Sequence, residues 1–115
     1  KNEDIIINGD GSQTRSFCYI DDLIVGLQKI MSLKNFFGPI NIGNDKEIKI
    51  LDVANYIISN FPTESKIIFN NKLQDDPLQR RPDLSLAKEY IDWRPNTSFE
   101  NGIQKTYEYF KSILK

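Results

Sequence analysis

The chain has 115 residues, 39% of them hydrophobic, with 15 basic against 16 acidic side chains and a net charge of -1. That length suits one globular domain with a modest core, and so even a charge balance leaves no broad positive field to gather nucleic acid or an anionic membrane, so an anion must be bound locally. With no histidine and one cysteine, Cys18, the chain cannot assemble a Ser-His-Asp triad, a Cys-His pair, an ordinary zinc site or an internal disulfide, and a lone thiol suits a reducing cytoplasm.

No apolar run approaches membrane-spanning length. The first residue is Lys1 rather than an initiator methionine, and a strand-like segment follows at once, so a piece of something longer is expected. Ile5 to Ile7 is a short β-branched run that stops at the turn-prone "NGDG", after which "RSFCYI" resumes with strand-like residues. Together they predict a hairpin-like unit with Cys18 on a buried strand. Asp21 is placed to cap a helix in which Leu23, Leu27, Ile30 and Met31 recur at helical spacing. "GPINIGN" predicts a brief strand between glycines. Leu51, Ala54, Ile57, Ile58 and Phe61 mark a second amphipathic helix before Pro62, although Lys49 stands where a hydroxyl cap is usual. "KIIF" at 66 to 69 predicts a further strand, and Leu84, Ala87, Tyr90 and Ile91 a short helix. Thr97 and Glu100 form a T-x-x-E capping box for a last helix carrying Phe99, Ile103, Tyr107, Phe110 and Leu114 on one face. The order is α/β, with about four helices and too few strands for a full doubly wound sheet.

Several patterns resemble chemistry without supporting it. Asp21 with Asp22, and Asp75 with Asp76, are adjacent carboxylates whose directions diverge, which suits caps and loop charges better than acid/base work. Gly9 and Gly11 begin a G-x-G-x-x-G fingerprint that fails at Thr14, and no helix follows to hold a pyrophosphate. Tyr107 and Lys111 satisfy Y-x-x-x-K, but Tyr107 lies on the apolar stripe of the last helix, where core packing explains it. The arginines offer more. Arg15 follows a glycine-rich turn, and Arg80 and Arg81 sit in "QDDPLQRRPD", a loop pinned by Pro77 and Pro82, where a rigid backbone lowers the entropy lost in holding a guanidinium against phosphate. Two readings stand: an anion site, or a surface loop in which Arg80 and Arg81 pair with Asp75 and Asp76. Asp83 likewise either caps the helix behind it or accepts ribose hydroxyls.

"GDGSQTRSFCYIDDLIVGL", "GPINIGN", "QDDPLQRRPDLSLAKEYIDWRP" and "SFENGIQKTYEYF" together resemble, in order and over almost the whole chain, the C-terminal part of the extended short-chain dehydrogenases that act on nucleotide sugars, and within them the UDP-glucuronate decarboxylase branch. The resemblance implies a small α/β substrate-binding lobe without its Rossmann part, a single domain over residues 1–115. It implies that Arg15 and Arg81 bind the nucleotide diphosphate, that Asp83 is a candidate for the ribose, that Arg80 is an accessory, and that Gln13 and Asn41 help line the pocket. Asp75 and Asp76 would then restrain the arginines of their loop. A UDP-sugar is the implied ligand and the Rossmann domain the implied partner, with self-association through an exposed apolar face a further expectation. NAD belongs to the complete enzyme, which oxidises the sugar at C4, loses carbon dioxide from the resulting β-keto acid and returns the hydride; no catalytic residue is expected in this chain, which alone should be inactive. Where the family usually has a glycine before the tryptophan, this chain has Asp92, which tolerates the left-handed conformation. A dTDP-glucose 4,6-dehydratase or UDP-sugar 4-epimerase is the neighbouring reading. A freestanding interaction module is the one from another class.

Overall fold

The computed structural model describes residues 1–114. Eight short elements run through it in the predicted α/β manner: β1 (Ile5–Asn8), β2 (Thr14–Ser16), α1 (Ile20–Met31), β3 (Glu47–Lys49), α2 (Ile50–Asn60), β4 (Ile67–Asn70), α3 (Ser85–Ile91) and α4 (Phe99–Ile113). They divide between two compact units. One takes Lys1–Ser16 and Lys46–Arg81, the other Phe17–Asp45 and the stretch from Pro82 onward.

In the first unit β1 pairs in parallel with β4, Ile5 opposite Ile67 through Asn8 opposite Asn70. Backbone bonds from Ile5 to Lys66 and from Gly9 to Asn70, both 2.8 Å, extend the ladder at either end. A parallel pair needs a crossover, and α2 lies within it, packed against β1 and β3. Ile7, 2% exposed, and Ala54, 4%, are the buried centre of this unit. β2 pairs antiparallel with β3, Arg15 opposite Ile48. The expected hairpin is therefore absent: β1 and β2 belong to different sheets. The turn between them does not fold the chain back on itself but lays it across the start of α2, where Leu51 N–H donates to the Gly11 carbonyl at 3.0 Å and Ile50 N–H to the Gln13 carbonyl at 2.9 Å. That contact also explains the odd cap. Lys49 is the N-cap and its side chain makes no capping bond, because two of the helix's orphan N–H groups already find backbone acceptors in the turn.

In the second unit α1 packs against α3 around Ala87, Ile91 and Trp93, with Cys18, Ile30, Leu33, Ile40, Ile42 and Leu84 partly buried against them. "GPINIGN" forms no strand. Its Ile40 and Ile42 pack on that cluster as irregular chain, since alternation buries one side but only a partner strand completes a ladder. Cys18 likewise lies beyond the end of β2, half-buried in coil. Asp21 does not cap α1. Tyr19 is the N-cap, without a side-chain bond, and Asp21 and Asp22 fall in the first turn, where acidic groups suit the helix dipole.

Asp22 does something else: its Oδ2 accepts from Asn96 N at 3.1 Å and Thr97 N at 2.8 Å, while its carbonyl accepts from Trp93 Nε1 at 2.9 Å. One helical turn on, a Cβ at Gly26 would come within 3.1 Å of the indole, so glycine lets Trp93 approach α1 closely. Another turn on, Lys29 Nζ donates to the Asp92 carbonyl at 3.1 Å. Positions 22, 26 and 29 share a helix face, and that face holds the whole 92–97 stretch. Asp92 ends α3 in the left-handed conformation, φ 45° and ψ 50°, as its replacement of glycine led one to expect. The capping box of α4 is shifted by one residue: Ser98, not Thr97, is the N-cap, its hydroxyl accepting from Asn101 N at 3.2 Å, because the Thr97 N–H is already engaged by Asp22.

Candidate functional site

Arg15 is carried by the first unit's glycine turn. Gly11 has φ 79°, and a Cβ there would stand 2.7 Å from that of Leu51, so only glycine permits the approach that satisfies α2. Asp10 Oδ1 accepts from Ser12 Oγ at 2.6 Å and Ser12 N at 2.9 Å, bonds that hold its carboxyl below the usual range. Gln13, 8% exposed, donates from Nε2 to the Asn8 carbonyl at 2.9 Å. Its amide braces the turn.

From this frame β2 presents Arg15, whose Nη1 donates to the Thr14 carbonyl at 2.6 Å and whose Nη2 makes an ion pair with Asp76. The two side chains are only 23% and 21% exposed. The loop carrying Asp76 is tied to the same strand a second time, by Thr14 N–H to the Leu78 carbonyl at 2.8 Å. Arg80 and Arg81 follow Leu78 at two and three positions. Both are exposed, and among the described residues neither pairs with a carboxylate. The restraint expected of the loop aspartates is thus redistributed: Asp76 serves Arg15, sixty-one positions away in sequence, and leaves Arg80 and Arg81 to solvent. Nothing in the spacing of "QDDPLQRR" distinguishes a local partner from this distant one.

The remaining site candidates stand in the second unit. Asp83 Oδ1 accepts from Ser85 N at 2.9 Å at the start of α3, which is the helix-start role foreseen as one of its two readings. Asn41 is exposed, and its Nδ2 reaches toward the Asp83 carbonyl at 3.5 Å. Cys18 is no nucleophile: burial first, and then the charge of Asp22, pushes its thiol up to about 11. Lys111 Nζ lies over the Tyr107 ring at 5.8 Å, an ordinary cation–π contact along one helix face. The glycine turn does not cradle a dinucleotide phosphate either, because the N–H groups of Ile50 and Leu51 that open α2 are spent on the turn's own carbonyls.

No protein-family model matches the chain. Over 113 residues it is 42% identical to UDP-glucuronic acid decarboxylase 1 of Danio rerio, a match covering 98% of this chain and 27% of that protein. Among solved structures, the UDP-glucuronic acid 4-epimerase of Bacillus cereus in complex with UDP-glucuronic acid and NAD superposes with a TM-score of 0.84 at 33% identity, over 96% of this chain and 36% of that one. The UDP-glucose 4-epimerase of Thermotoga maritima with UDP-glucose gives a TM-score of 0.89 at 25% identity, over 99% and 37%. The chain therefore spans about a quarter of the length of that decarboxylase and little more than a third of either epimerase chain.

Proposed function

We propose, from the premise that this chain is related along nearly its whole length to the UDP-glucuronic acid decarboxylases, that it is the nucleotide-sugar-binding portion of an enzyme converting UDP-glucuronate to UDP-xylose and carbon dioxide. That relationship is the observation carrying the reading. The arginines give it a physical form. A sugar nucleotide brings its two phosphate charges far from its reacting carbons, so guanidinium groups that hold the diphosphate orient the sugar without touching it. Arg15 and Arg81 take that role, Arg80 assists, and Asp83 offers a carboxylate oxygen to ribose hydroxyls while its Oδ1 holds the Ser85 amide. Asn41, whose Nδ2 lies 3.5 Å from the Asp83 carbonyl, is the further polar group assigned to the ligand. Gln13 contributes by stiffening the turn that precedes Arg15. NAD, when bound by the complete polypeptide outside this chain, supplies the redox chemistry. No residue of this chain handles a proton or hydride.

The test is turnover of UDP-glucuronate by the complete polypeptide, with carbon dioxide and nucleotide products measured for the wild type and for Arg81→Ala. Release of carbon dioxide with UDP-xylose, and a KM raised about tenfold or more in the variant, is the expected result. Conversion to a UDP-hexuronate without carbon dioxide would replace it with the epimerase reading, which the 33% identity to the Bacillus cereus enzyme favours as the alternative. Failure to bind any UDP-sugar would discard both.

A further inference from the structure

We infer that Asp76 is a positioning residue for Arg15, fastening the guanidinium of β2 to the arginine-bearing loop so that Arg15 and Arg81 meet the diphosphate of a sugar nucleotide in a preset arrangement. This rests on the nucleotide-sugar reading above and adds to it the group that aims one of its anchors. A guanidinium has five N–H donors. On Arg15 one terminal nitrogen is committed to the Thr14 carbonyl and the other to Asp76, which fixes the plane of the fork and leaves its remaining donors for an anion. The pair is also not the freely hydrated surface contact that contributes little, since more than three quarters of each side chain is covered.

The carboxylate is itself held. Asp76 N–H donates to the Leu73 carbonyl at 3.4 Å, Asp75 before it takes a left-handed φ of 63°, and Leu78 after it is bonded to Thr14. Strand and loop are consequently joined at two points, Asp76 and Leu78, immediately before Arg80 and Arg81. Asp75, one position away and exposed, makes no such tie.

Two effects of Asp76 oppose each other. Its negative charge repels an incoming phosphate, so charge alone would make its removal tighten binding. Its restraint lowers the conformational entropy lost when Arg15 takes up an anion, so removal would weaken binding. We assign the larger effect to restraint, because without Asp76 a largely covered guanidinium keeps one acceptor, the carbonyl of its own neighbour, and the loop loses one of its two fastenings. The sign of the change therefore decides between them.

The experiment is calorimetric titration of UDP and UDP-glucuronate into the complete polypeptide as wild type, Asp76→Asn, Arg15→Ala and the double variant, at low and raised salt, with melting curves to confirm that each is folded. Asp76→Asn is expected to raise Kd about fivefold, to keep that loss at raised salt, and to add nothing once Arg15 is alanine. In turnover the same variant should raise KM with kcat within about twofold. Asp76→Glu keeps the carboxylate but sets it one methylene further out, and should raise Kd by less than Asp76→Asn does; should Asp76→Asn fail to fold, Asp76→Ser takes its place with the same expected loss and the same grounds for rejection. Unchanged or tighter binding in folded Asp76→Asn, or a loss that survives in the Arg15→Ala background, would overturn the positioning role while leaving the proposed substrate intact. A wild type that binds neither ligand would overturn both.

Discussion

Replacing Asp22 with alanine should loosen the second unit far more than replacing Asp21, its neighbour in the same helical turn. Asp22 Oδ2 accepts two backbone N–H groups, from Asn96 at 3.1 Å and Thr97 at 2.8 Å. A hydrogen bond to a charged acceptor contributes roughly 1.5 to 3 kcal/mol when buried. Asn96 is exposed and its amide is rehydrated when the carboxylate goes, whereas the Thr97 amide is partly buried and keeps most of its loss. The sum is about 2 kcal/mol, a factor of about 30 in the folded-to-unfolded ratio. Asp21 shares the first turn with Asp22 and is exposed. Its replacement changes helix propensity and dipole in the same way, each by a few tenths of a kcal/mol, and therefore serves as the control that isolates the two loop bonds. Trp93, the single tryptophan, is buried against α1 and bonded to the Asp22 carbonyl, so its fluorescence in a urea titration reports on the region in question. A loss in Asp22→Ala within about 0.5 kcal/mol of that in Asp21→Ala would refute the view that the 92–97 stretch hangs on this carboxylate.

Gly11→Ala should lower stability by about 3 kcal/mol, combining a left-handed φ with overpacking against Leu51; a melting point lowered by only a degree or two would contradict that. Asp92→Val should lose about 2 kcal/mol while Asp92→Gly stays within about 0.5 kcal/mol of the wild type or gains, because a β-branched residue resists φ 45° and glycine does not; equal denaturation midpoints would count against the assignment. Cys18 should be alkylated about a hundredfold more slowly than a free thiol at pH 8, with the rate climbing steadily toward pH 11. A thiol pKa raised from 9.0 to about 11 in the folded chain also means that its contribution to stability is fully present below pH 9 and lost as pH rises through about 11, which melting points across that range would register.

Local chemistry was legible in the sequence where it is decided locally. The apolar spacing marked α1, α2, α3 and α4, and Pro62 stopped α2, whereas the backbone demand at Asp92 was legible only through the family resemblance, which has glycine at that place. Pairing was not legible. Ile5 to Ile7 announces a strand but not that its partner lies at Ile67, and "NGDG" has a hairpin's composition although its Gly11 serves an approach to α2. The cap of α4 slipped by one residue because Thr97 had a distant claimant, Asp22, that no local motif contains. The site shows the same division: Arg15, Arg80 and Arg81 stand out by type and setting, while Asp76 as the partner of Arg15 depends on a contact between remote parts of the chain.

Interleaving of the two units along the chain has a consequence for how such a polypeptide assembles. Residues 1–16 belong to a unit whose other part ends only at Arg81, and within this chain the strand that pairs with β1 is β4, Ile5 lying opposite Ile67. That pairing joins positions sixty-two apart in sequence, as Ile5 and Ile67 are, and closing so distant a contact favours slow assembly. The same threading bars simple subdivision. No single cut of the backbone releases either unit whole, so the two must be inherited, transplanted or truncated together.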